Sequence, residues 1–268
     1  MMNDDFFTGS SDEFESAEHS CNTSVSDSET LADKLFQAFL NQKNFLSLVH
    51  VNAQSILAHY SELLTSFSTG IVDCILISET WLKPSIPSTS CPLPGYQLFR
   101  NDRTERGGGG VGIFLRSCIP ATVVCCSPSL LGTLEYLFLE IIINHRKILL
   151  GVLYSPNDKF NYFKQLEDVL EGLVPNYEHV ICMGDLNTCL LKNDNRAQTL
   201  HTLTSSVNLH IVPMTDPTHY FPNCRPSLID LAFVSNPNFV SSHGQMTSPF
   251  SYHDLIFVTI LSKWICNA

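Results

Sequence analysis

The chain has 268 residues, of which 44% are hydrophobic, 26 are Asp or Glu and 15 are Lys or Arg. This length is sufficient for one large domain with a sizeable core. The acidic N-terminus lacks the basic segment and apolar core of a secretory signal. The most apolar region, residues 137–154, is interrupted by Glu140 and by the basic residues 145–147, which argues against a membrane span and predicts a hairpin turning at residues 144–145.

Ten cysteines are scattered along the chain, with no Cys-x-x-Cys pair and no His/Cys spacing suited to zinc. We therefore expect reduced, mostly buried thiols. The composition predicts an intracellular protein, nuclear or cytoplasmic, with no membrane partner.

Residues 1–44 differ in composition from the rest of the chain. They hold nine of the 26 acidic residues, two lysines and many serines, which predicts disorder for most of this segment and a folded domain over residues 45–268. One helical face is nevertheless present near its end, formed by Leu31, Leu35, Phe36, Phe39 and Leu40. A helix that caps the domain core is favoured over one that binds a partner.

Short apolar runs bounded by turn residues predict eleven strands, and a few segments show helical spacing. The strands are predicted near residues 45–51, 72–78, 96–100, 110–115, 119–126, 134–143, 146–153, 178–183, 209–212, 228–235 and 255–261. The helices are predicted at residues 55–68 and 160–173, with a weaker pattern at 195–206. Many strands with few helices indicate an α/β fold of two packed sheets with helices on the outer faces.

The segment Glu178–Asn187 is the most informative of the predicted strands. A buried strand ends at Gly184 and is followed by Asp185 and Asn187, which share a face if strand alternation continues. A carboxylate and an amide aimed at one point suit a group that orients an attacking water beside a group that holds an oxyanion. A polar turn after a core strand is the alternative.

Glu79 ends a second apolar run, which begins at residue 72. An acid among apolar neighbours is costly unless it is paired or bound to a cation, and a hard divalent cation such as Mg²⁺ suits it. An exposed acid at a strand end is the alternative for this residue alone. Four other predicted strands also carry polar groups near their ends or within them: Asn52, Tyr154, Asp230 and His253.

Taken in order, these residues resemble the endonuclease/exonuclease/phosphatase superfamily and, within it, the apurinic-endonuclease-like domain of non-long-terminal-repeat retrotransposons. The resemblance is carried by Asn52, Ser-Glu-Thr-Trp-Leu at 78–82, Arg-Asn-Asp-Arg at 100–103 before four glycines at 107–110, Tyr154, Gly-Asp-Leu-Asn at 184–187, Ser-Leu-Ile-Asp at 227–230, and His253. It covers about residues 45–265. It implies a four-layer sandwich of two packed mixed β-sheets flanked by helices, like that of deoxyribonuclease I.

The resemblance also implies metal-assisted hydrolysis of phosphodiester bonds in DNA, with nicking of target DNA to prime reverse transcription. Glu79, with Asn52 beside it, would hold Mg²⁺, or Mn²⁺ in its place, against a phosphate oxygen. Asp185 would orient or deprotonate the attacking water, and Asn187 would hold a phosphate oxygen.

The same resemblance gives roles to residues near the end of the chain. Asp230 would fix the tautomer of His253, which would stabilise the transition state. Tyr154 would contact the phosphate or the leaving oxygen. Further phosphate or DNA contacts are implied at Thr218 and Ser251.

The chain has too few basic residues to bind nucleic acid through its overall charge, because acidic residues outnumber them even outside the acidic tail. The one obvious basic cluster consists of Arg100, Arg103 and Arg106, and Arg103 is predicted to contact DNA. A solvated loop is the alternative. The four glycines that follow lack the lysine and helix of a phosphate-binding loop and are assigned no phosphate role.

One position departs from the family pattern. The family has Ser-Asp-His before its last strand, whereas this chain has Tyr252 between Ser251 and His253. A tyrosine is neutral at pH 7 and supplies no charge to a metal or a histidine, and strand alternation directs the next acid, Asp254, elsewhere.

Two hypotheses follow, a DNA-nicking endonuclease and a non-catalytic binding domain of the same fold. Because the sequence stops shortly after the last predicted strand, we expect an excised domain, a truncated element or a host-retained derivative. In each case the reverse transcriptase would be separate or lost.

Overall fold

Two six-stranded β-sheets form the centre of the computed structural model, which describes residues 29–40, 45–104, 107–129, 133–156 and 161–261. The first sheet contains β1 (Phe45–Asn52), β2 (Cys74–Ser78), β3 (Tyr96–Asn101), β4 (Val111–Arg116), β11 (Val240–Met246) and β12 (Leu255–Leu261). The second contains β5 (Ala121–Cys126), β6 (Glu135–Ile143), β7 (Arg146–Tyr154), β8 (His179–Asp185), β9 (His210–Ile211) and β10 (Asp230–Val234). The α-helices of the described residues are α1 (Leu31–Phe39), α2 (Tyr60–Phe67), α3 (Asn161–Leu173) and α4 (Asn195–Ser206).

Both sheets are mixed. The strand order is β11-β12-β1-β2-β4-β3 in the first sheet and β5-β6-β7-β8-β10-β9 in the second. β1 pairs with β2 in parallel and β7 pairs with β8 in parallel, whereas the other neighbours are antiparallel. The central strands are buried on both faces, which explains why their sequences are continuous apolar runs.

Three clusters of buried apolar side chains define the layers. One lies between the sheets and joins Leu48 and Ile113 of the first to Leu139 and Val152 of the second. Another packs α3 and α4 on the outer face of the second sheet, and the last packs α1 and α2 on the outer face of the first. The predicted four-layer α/β sandwich is therefore confirmed.

Helix α1 is part of this packing. It begins with a capping box at Thr30, and Leu31, Leu35 and Phe39 are buried against the first sheet. The Phe39 ring meets the Phe257 ring of β12 edge-on at 5.6 Å. The prediction that this helix caps the core is confirmed.

The buried face of α1 is narrower than the sequence predicts, because Phe36 and Leu40 are 43% and 44% exposed. The disorder predicted for most of the segment before it falls on residues 1–28, which lie outside the described residues. The domain boundary at residue 45 stays a prediction.

Leu35 and Phe36 are sequence neighbours in opposite environments. Leu35→Ala is expected to lower the free energy of unfolding by about 2–5 kcal/mol, because it empties a site with 0% exposure. Phe36→Ala is expected to change it by less than about 0.5 kcal/mol, because that ring already lies in water. Denaturant unfolding measures both, and an unaffected Leu35 variant would show that α1 contributes nothing to the core.

Two elements differ from the sequence prediction. Strand β11 was not expected, because it is polar and contains Gly244; pairing with β12 at the sheet edge holds it in place. Helix α2 begins at Tyr60 rather than at residue 55, since a turn occupies residues 56–59 and Ser55 has a φ of 99°.

The predicted hairpin turn between β6 and β7 is confirmed. Asn144 and His145 connect the paired residues Ile143 and Arg146. Their φ values of 49° and 64° are those of a tight two-residue turn.

The cysteines differ in part from the expectation. Those that the structure describes are free, but only Cys74, Cys91 and Cys182 of them are buried, whereas Cys118, Cys126 and Cys224 are exposed. The prediction of mostly buried thiols is therefore wrong for this part of the chain. In the same residues, no helix has both the length and the apolar character that crossing a membrane requires.

Candidate active site

The strand ends of the first sheet bring Asn52 and Glu79 together. β1 and β2 run in parallel with Asn52 opposite Ser78, and Glu79 follows directly. Asn52 is fully buried, and its Nδ2 donates to Glu79 Oε1 at 3.0 Å and to Asp185 Oδ2 at 3.0 Å. One amide group thus links a carboxylate of the first sheet to a carboxylate of the second.

Neighbouring strands of the second sheet place Tyr154, Asp185 and Asp230 in one row. Tyr154 is opposite Asp185 in the β7–β8 pair, and Asp185 is opposite Asp230 in the β8–β10 pair. Directly opposite residues share a face of the sheet, so the three side chains project to the same side, and all are buried.

Asp230 lies between two histidines. Its Oδ2 is 2.9 Å from His253 Nδ1 and accepts a 2.7 Å hydrogen bond from the Thr218 hydroxyl. Its Oδ1 is 3.6 Å from Nδ1 of His50, whose Nε2 lies 3.1 Å from the Ser78 hydroxyl. These side chains are all buried, so their charges interact strongly.

The neighbouring charges and the burial of this cluster determine which of its side chains are charged. Burial opposes ionisation of Asp230, but the His253 cation and its hydrogen bond keep the pKa of Asp230 below its ordinary value. Burial lowers the pKa of His253 but the Asp230 charge raises it more, to about 9 overall. Burial lowers the pKa of His50 to about 4. At neutral pH the site therefore holds an Asp230 anion, a His253 cation and a neutral His50.

Asp185 has a pKa close to neutral pH. Burial, together with the charge of Asp230, raises the pKa of Asp185 to about 7. Its Oδ1 accepts a hydrogen bond from the Asn187 amide at 2.9 Å, and its Oδ2 accepts one from Asn52. A carboxylate whose pKa lies near 7 can take a proton from water in neutral solution.

Asn187 does not lie where strand alternation places it. It follows the strand with a φ of 47°, and its side-chain Nδ2 donates to the Ser155 carbonyl at 2.7 Å. Arg196 of α4 supports the same turn by donating to the Thr188 hydroxyl at 2.8 Å. Asn187 thus holds the turn beside Asp185 with one amide hydrogen, and the phosphate contact of its amide stays a prediction.

Tyr154 is held as a neutral hydroxyl beside Glu79. Burial and the charge of Glu79 raise the pKa of Tyr154 far above its ordinary value, and its hydroxyl is hydrogen-bonded to Glu79. The guanidinium of Arg103 lies over the Tyr154 ring at 5.9 Å, while its Nε donates to Glu135. Because the Arg103 and Glu135 side chains are only 11% and 7% exposed, the predicted DNA contact of Arg103 is corrected to a buried ion pair.

Gly109, one of the four glycines before β4, makes room for that ion pair. Gly109 has a φ of 66°, and a Cβ there would lie 2.2 Å from the guanidinium carbon of Arg103. The Gly110 amide donates to Glu135, and the Gly109 carbonyl accepts from the Trp81 amide at 2.9 Å. The glycines therefore fix the loop that follows β2.

The two arginines of the predicted basic cluster that the structure describes are paired within the protein. Arg100 donates to the carbonyls of Lys83 and Ile86 and to the Asp102 carboxylate. Arg103 is paired as described, and Arg106 lies outside the described residues.

Thr218 and Ser251 use their hydroxyls inside the protein. Thr218 is fully buried, donates to Asp230 and accepts from two backbone amides. Ser251 donates to the Asn52 carbonyl at 2.6 Å and accepts from the His253 amide at 3.3 Å. The phosphate contacts predicted for both are corrected to positioning roles, since these bonds occupy the hydroxyl protons.

Tyr252 projects to the surface. Its ring is 47% exposed and meets the Phe221 ring at 5.0 Å. The next acid, Asp254, accepts a 3.1 Å hydrogen bond from Gln245, away from His253, as strand alternation predicts.

The loops that carry these groups hold backbone strain. Non-glycine residues with positive φ include Gln54 at 41°, Glu79 at 54°, Trp81 at 53° and Asn187 at 47°. Each such residue costs on the order of 1–3 kcal/mol, and such residues concentrate where function requires them. Three strand ends are thus strained beside one cluster.

Oxygen donors for a divalent cation are present at Glu79 and Asp185. Hard cations take one or two carboxylates together with waters and a substrate phosphate, and the two carboxylates share the Asn52 amide. Ligand atoms of Asp185, Asp230 and His253 also lie within 4.8 Å of one another. Because Asp230 and His253 are paired with each other, the carboxylates of Glu79 and Asp185 fit a cation better.

Asn52 presents its amide nitrogen to both carboxylates, while its Oδ1 accepts a hydrogen bond from the Gln54 amide at 3.2 Å. In this arrangement Asn52 spaces the two carboxylates, and its coordination of a cation stays a prediction.

A comparison with family models identifies the chain. The Endonuclease/Exonuclease/phosphatase family matches residues 38–253, most of the sequence. The chain belongs to this family. A comparison with curated proteins finds no match.

Solved structures share the fold at low identity. The endonuclease domain of TRAS1, a telomere-specific non-LTR retrotransposon, is 19% identical with a TM-score of 0.64, covering 82% of this chain and 99% of that one. The AP endonuclease LMAP from Leishmania major is 14% identical with a TM-score of 0.67, covering 81% and 88%. D. rerio TDP2 complexed with single strand DNA product is 18% identical with a TM-score of 0.58, covering 80% and 98%.

Several residues at this site were not predicted from the sequence. His50 has a detectable signal, a lone histidine inside the apolar run of β1. Ser155 and Arg196 have none, because they act through backbone and turn contacts. His219 reaches the site through its backbone bridge to His253 and through its ring, which lies 4.5 Å from the His253 ring.

Proposed function

We propose that this chain hydrolyses phosphodiester bonds in DNA with a divalent metal, Mg²⁺ or Mn²⁺, and that it nicks target DNA as the endonuclease of a non-long-terminal-repeat retrotransposon. Reverse transcription would then be supplied by a separate polypeptide or domain. The observation that supports this most is the Asn52 amide, which holds Glu79 and Asp185 together across the two sheets.

The protein groups divide the reaction between them. Asp185, with a pKa of about 7, accepts the proton of the attacking water. His253, kept cationic by Asp230, lies where negative charge grows on the phosphate and stabilises it. The neutral Tyr154 hydroxyl supplies a further donor beside Glu79. A cation held at Glu79 would add Lewis-acid stabilisation of the phosphate.

The second candidate is a non-catalytic binding domain of the same fold. It is favoured by Tyr252, which leaves the site one carboxylate short of the family pattern, and by the acidic balance of the chain. Binding without turnover needs neither Asp185 nor a cation. The two candidates therefore differ in what a chelator does.

Supercoiled plasmid distinguishes the candidates. We expect purified protein to convert supercoiled DNA to the nicked form with Mg²⁺ or Mn²⁺ and to stop when EDTA is added. Protein that leaves the plasmid intact with every divalent cation, yet retards DNA in a gel, would establish the binding domain instead.

A further inference from the structure

A row of rings leads from the active-site histidine to the surface. The His253 and His219 rings are 4.5 Å apart, and His219 stacks on Phe221 at 6.3 Å with planes 17° apart. Phe221 then meets Tyr252 at 5.0 Å with planes 74° apart. His253 is 4% exposed, whereas Phe221 and Tyr252 are 48% and 47% exposed, so the row ends in two open rings. We name these two residues the aromatic corner.

Backbone bonds hold this row in place. His219 bridges His253, and the Tyr220 amide donates to the Tyr252 carbonyl at 2.9 Å. The Asp254 amide donates to the Thr218 carbonyl at 2.7 Å. The aromatic corner is thus preformed and continuous with the site, and it needs no rearrangement to receive a ligand.

The chemistry of the corner fits a nucleobase. Both rings are about half exposed, so a planar ligand can stack on one of them. Every base has such a face, whatever its identity. Arg225 is exposed in the loop that carries Phe221 and adds a positive charge to that loop.

We propose that the aromatic corner stacks on an unpaired base of DNA, next to the phosphate held at His253. The inference rests on the proposed function and adds a substrate class, DNA whose bases are unpaired beside the cleaved bond. Stacking explains how a chain with 26 acidic and 15 basic residues can hold DNA. It also gives Tyr252 a role of its own in place of the missing carboxylate.

Binding without turnover tests the corner directly. Fluorescence anisotropy with a labelled single-stranded DNA oligonucleotide, in EDTA so that no hydrolysis occurs, gives the dissociation constant of the full chain. Phe221→Ala and Tyr252→Ala are each expected to weaken binding roughly tenfold, the effect of losing one stacked base. Tyr252→Phe keeps the ring and is expected to match the parent. Fully paired duplex of the same sequence is expected to bind more weakly and to be insensitive to both alanine variants.

Phe36→Ala is the matched control, because it removes an aromatic ring of similar exposure from α1. A second measurement uses an oligonucleotide with one 2-aminopurine, whose fluorescence should be quenched by the parent and by Tyr252→Phe but not by Tyr252→Ala. Alanine variants that bind and quench as the parent does would overturn the inference.

The outcomes separate the inference from the proposed function. If the parent nicks plasmid and its alanine variants bind single-stranded DNA as the parent does, the proposed nuclease function stands and base stacking at the aromatic corner is ruled out. If the parent never nicks plasmid and its alanine variants lose binding, base stacking stands and the nuclease function is ruled out.

Discussion

Asp185→Asn is expected to lower the rate of plasmid nicking by about 10²–10⁴-fold, because an amide cannot accept the proton of the attacking water. The substitution preserves shape, so the fold is retained. The rate is measured with saturating Mg²⁺. Asp168→Asn on the exposed surface of α3 is the matched control and is expected to nick at the parent rate, since its ion pair with Lys164 lies in water.

The same variant has a second signature in stability. The pKa of Asp185 is raised from 3.8 to about 7, so the folded state binds more protons than the unfolded state between these values. The parent therefore loses stability through this residue as pH rises from 3.8 to about 7, and Asp185→Asn does not. Without divalent cations, the free energy of unfolding of Asp185→Asn should rise relative to that of the parent by a few kcal/mol across that pH range, on the order of 1.4 kcal/mol per pKa unit. A difference that does not change with pH would show that Asp185 is not a high-pKa carboxyl.

His253→Ala is expected to have the largest combined effect. It removes the cation beside Asp230 and leaves a fully buried carboxylate without its main partner, which costs about 3–5 kcal/mol. Nicking should fall by about 10²–10³-fold or more, because the donor aimed at the phosphate is gone. Denaturant unfolding and plasmid nicking measure the two losses.

The stability loss depends on pH in a defined direction. The pKa of His253 is raised from 6.5 to about 9, so its contribution is complete below pH 6.5 and disappears as pH rises through about 9. His253→Ala should therefore lower the free energy of unfolding most at the acidic end of that pH window. The double variant Asp230→Asn with His253→Ala should lose less free energy of unfolding than the two single variants together. In the double variant no buried charge is left without its partner. His201→Ala on the exposed surface of α4 is the control, expected to change neither quantity.

Strands whose sequences are apolar throughout were predictable because they are buried on both faces. β1, β7 and β8 begin and end within two residues of their predicted limits, and their polar ends lie at the site. The hairpin at residues 144–145 was predictable because turn residues interrupt one apolar run. These features depend on local sequence alone.

The remaining features depend on contacts between distant segments. β11 is stabilised by pairing with β12 and carries no apolar alternation of its own. Arg103 was expected at the surface because its partner, Glu135, lies 32 positions away. Thr218 and Ser251 were expected at phosphate from the family resemblance, and a sequence does not show that Asp230 and the Asn52 carbonyl accept hydrogen bonds from their hydroxyls.

The pairing of β1 with β12 has a consequence for synthesis on the ribosome. β1 carries Asn52 near the start of the domain, whereas β12 follows His253 near its end, and the two strands are hydrogen-bonded neighbours. A nascent chain therefore lacks one side of β1, and lacks the imidazole as well, until the last strand has emerged from the exit tunnel. Because domains fold as units, we expect nuclease chemistry to be silent until β12 has emerged and paired with β1.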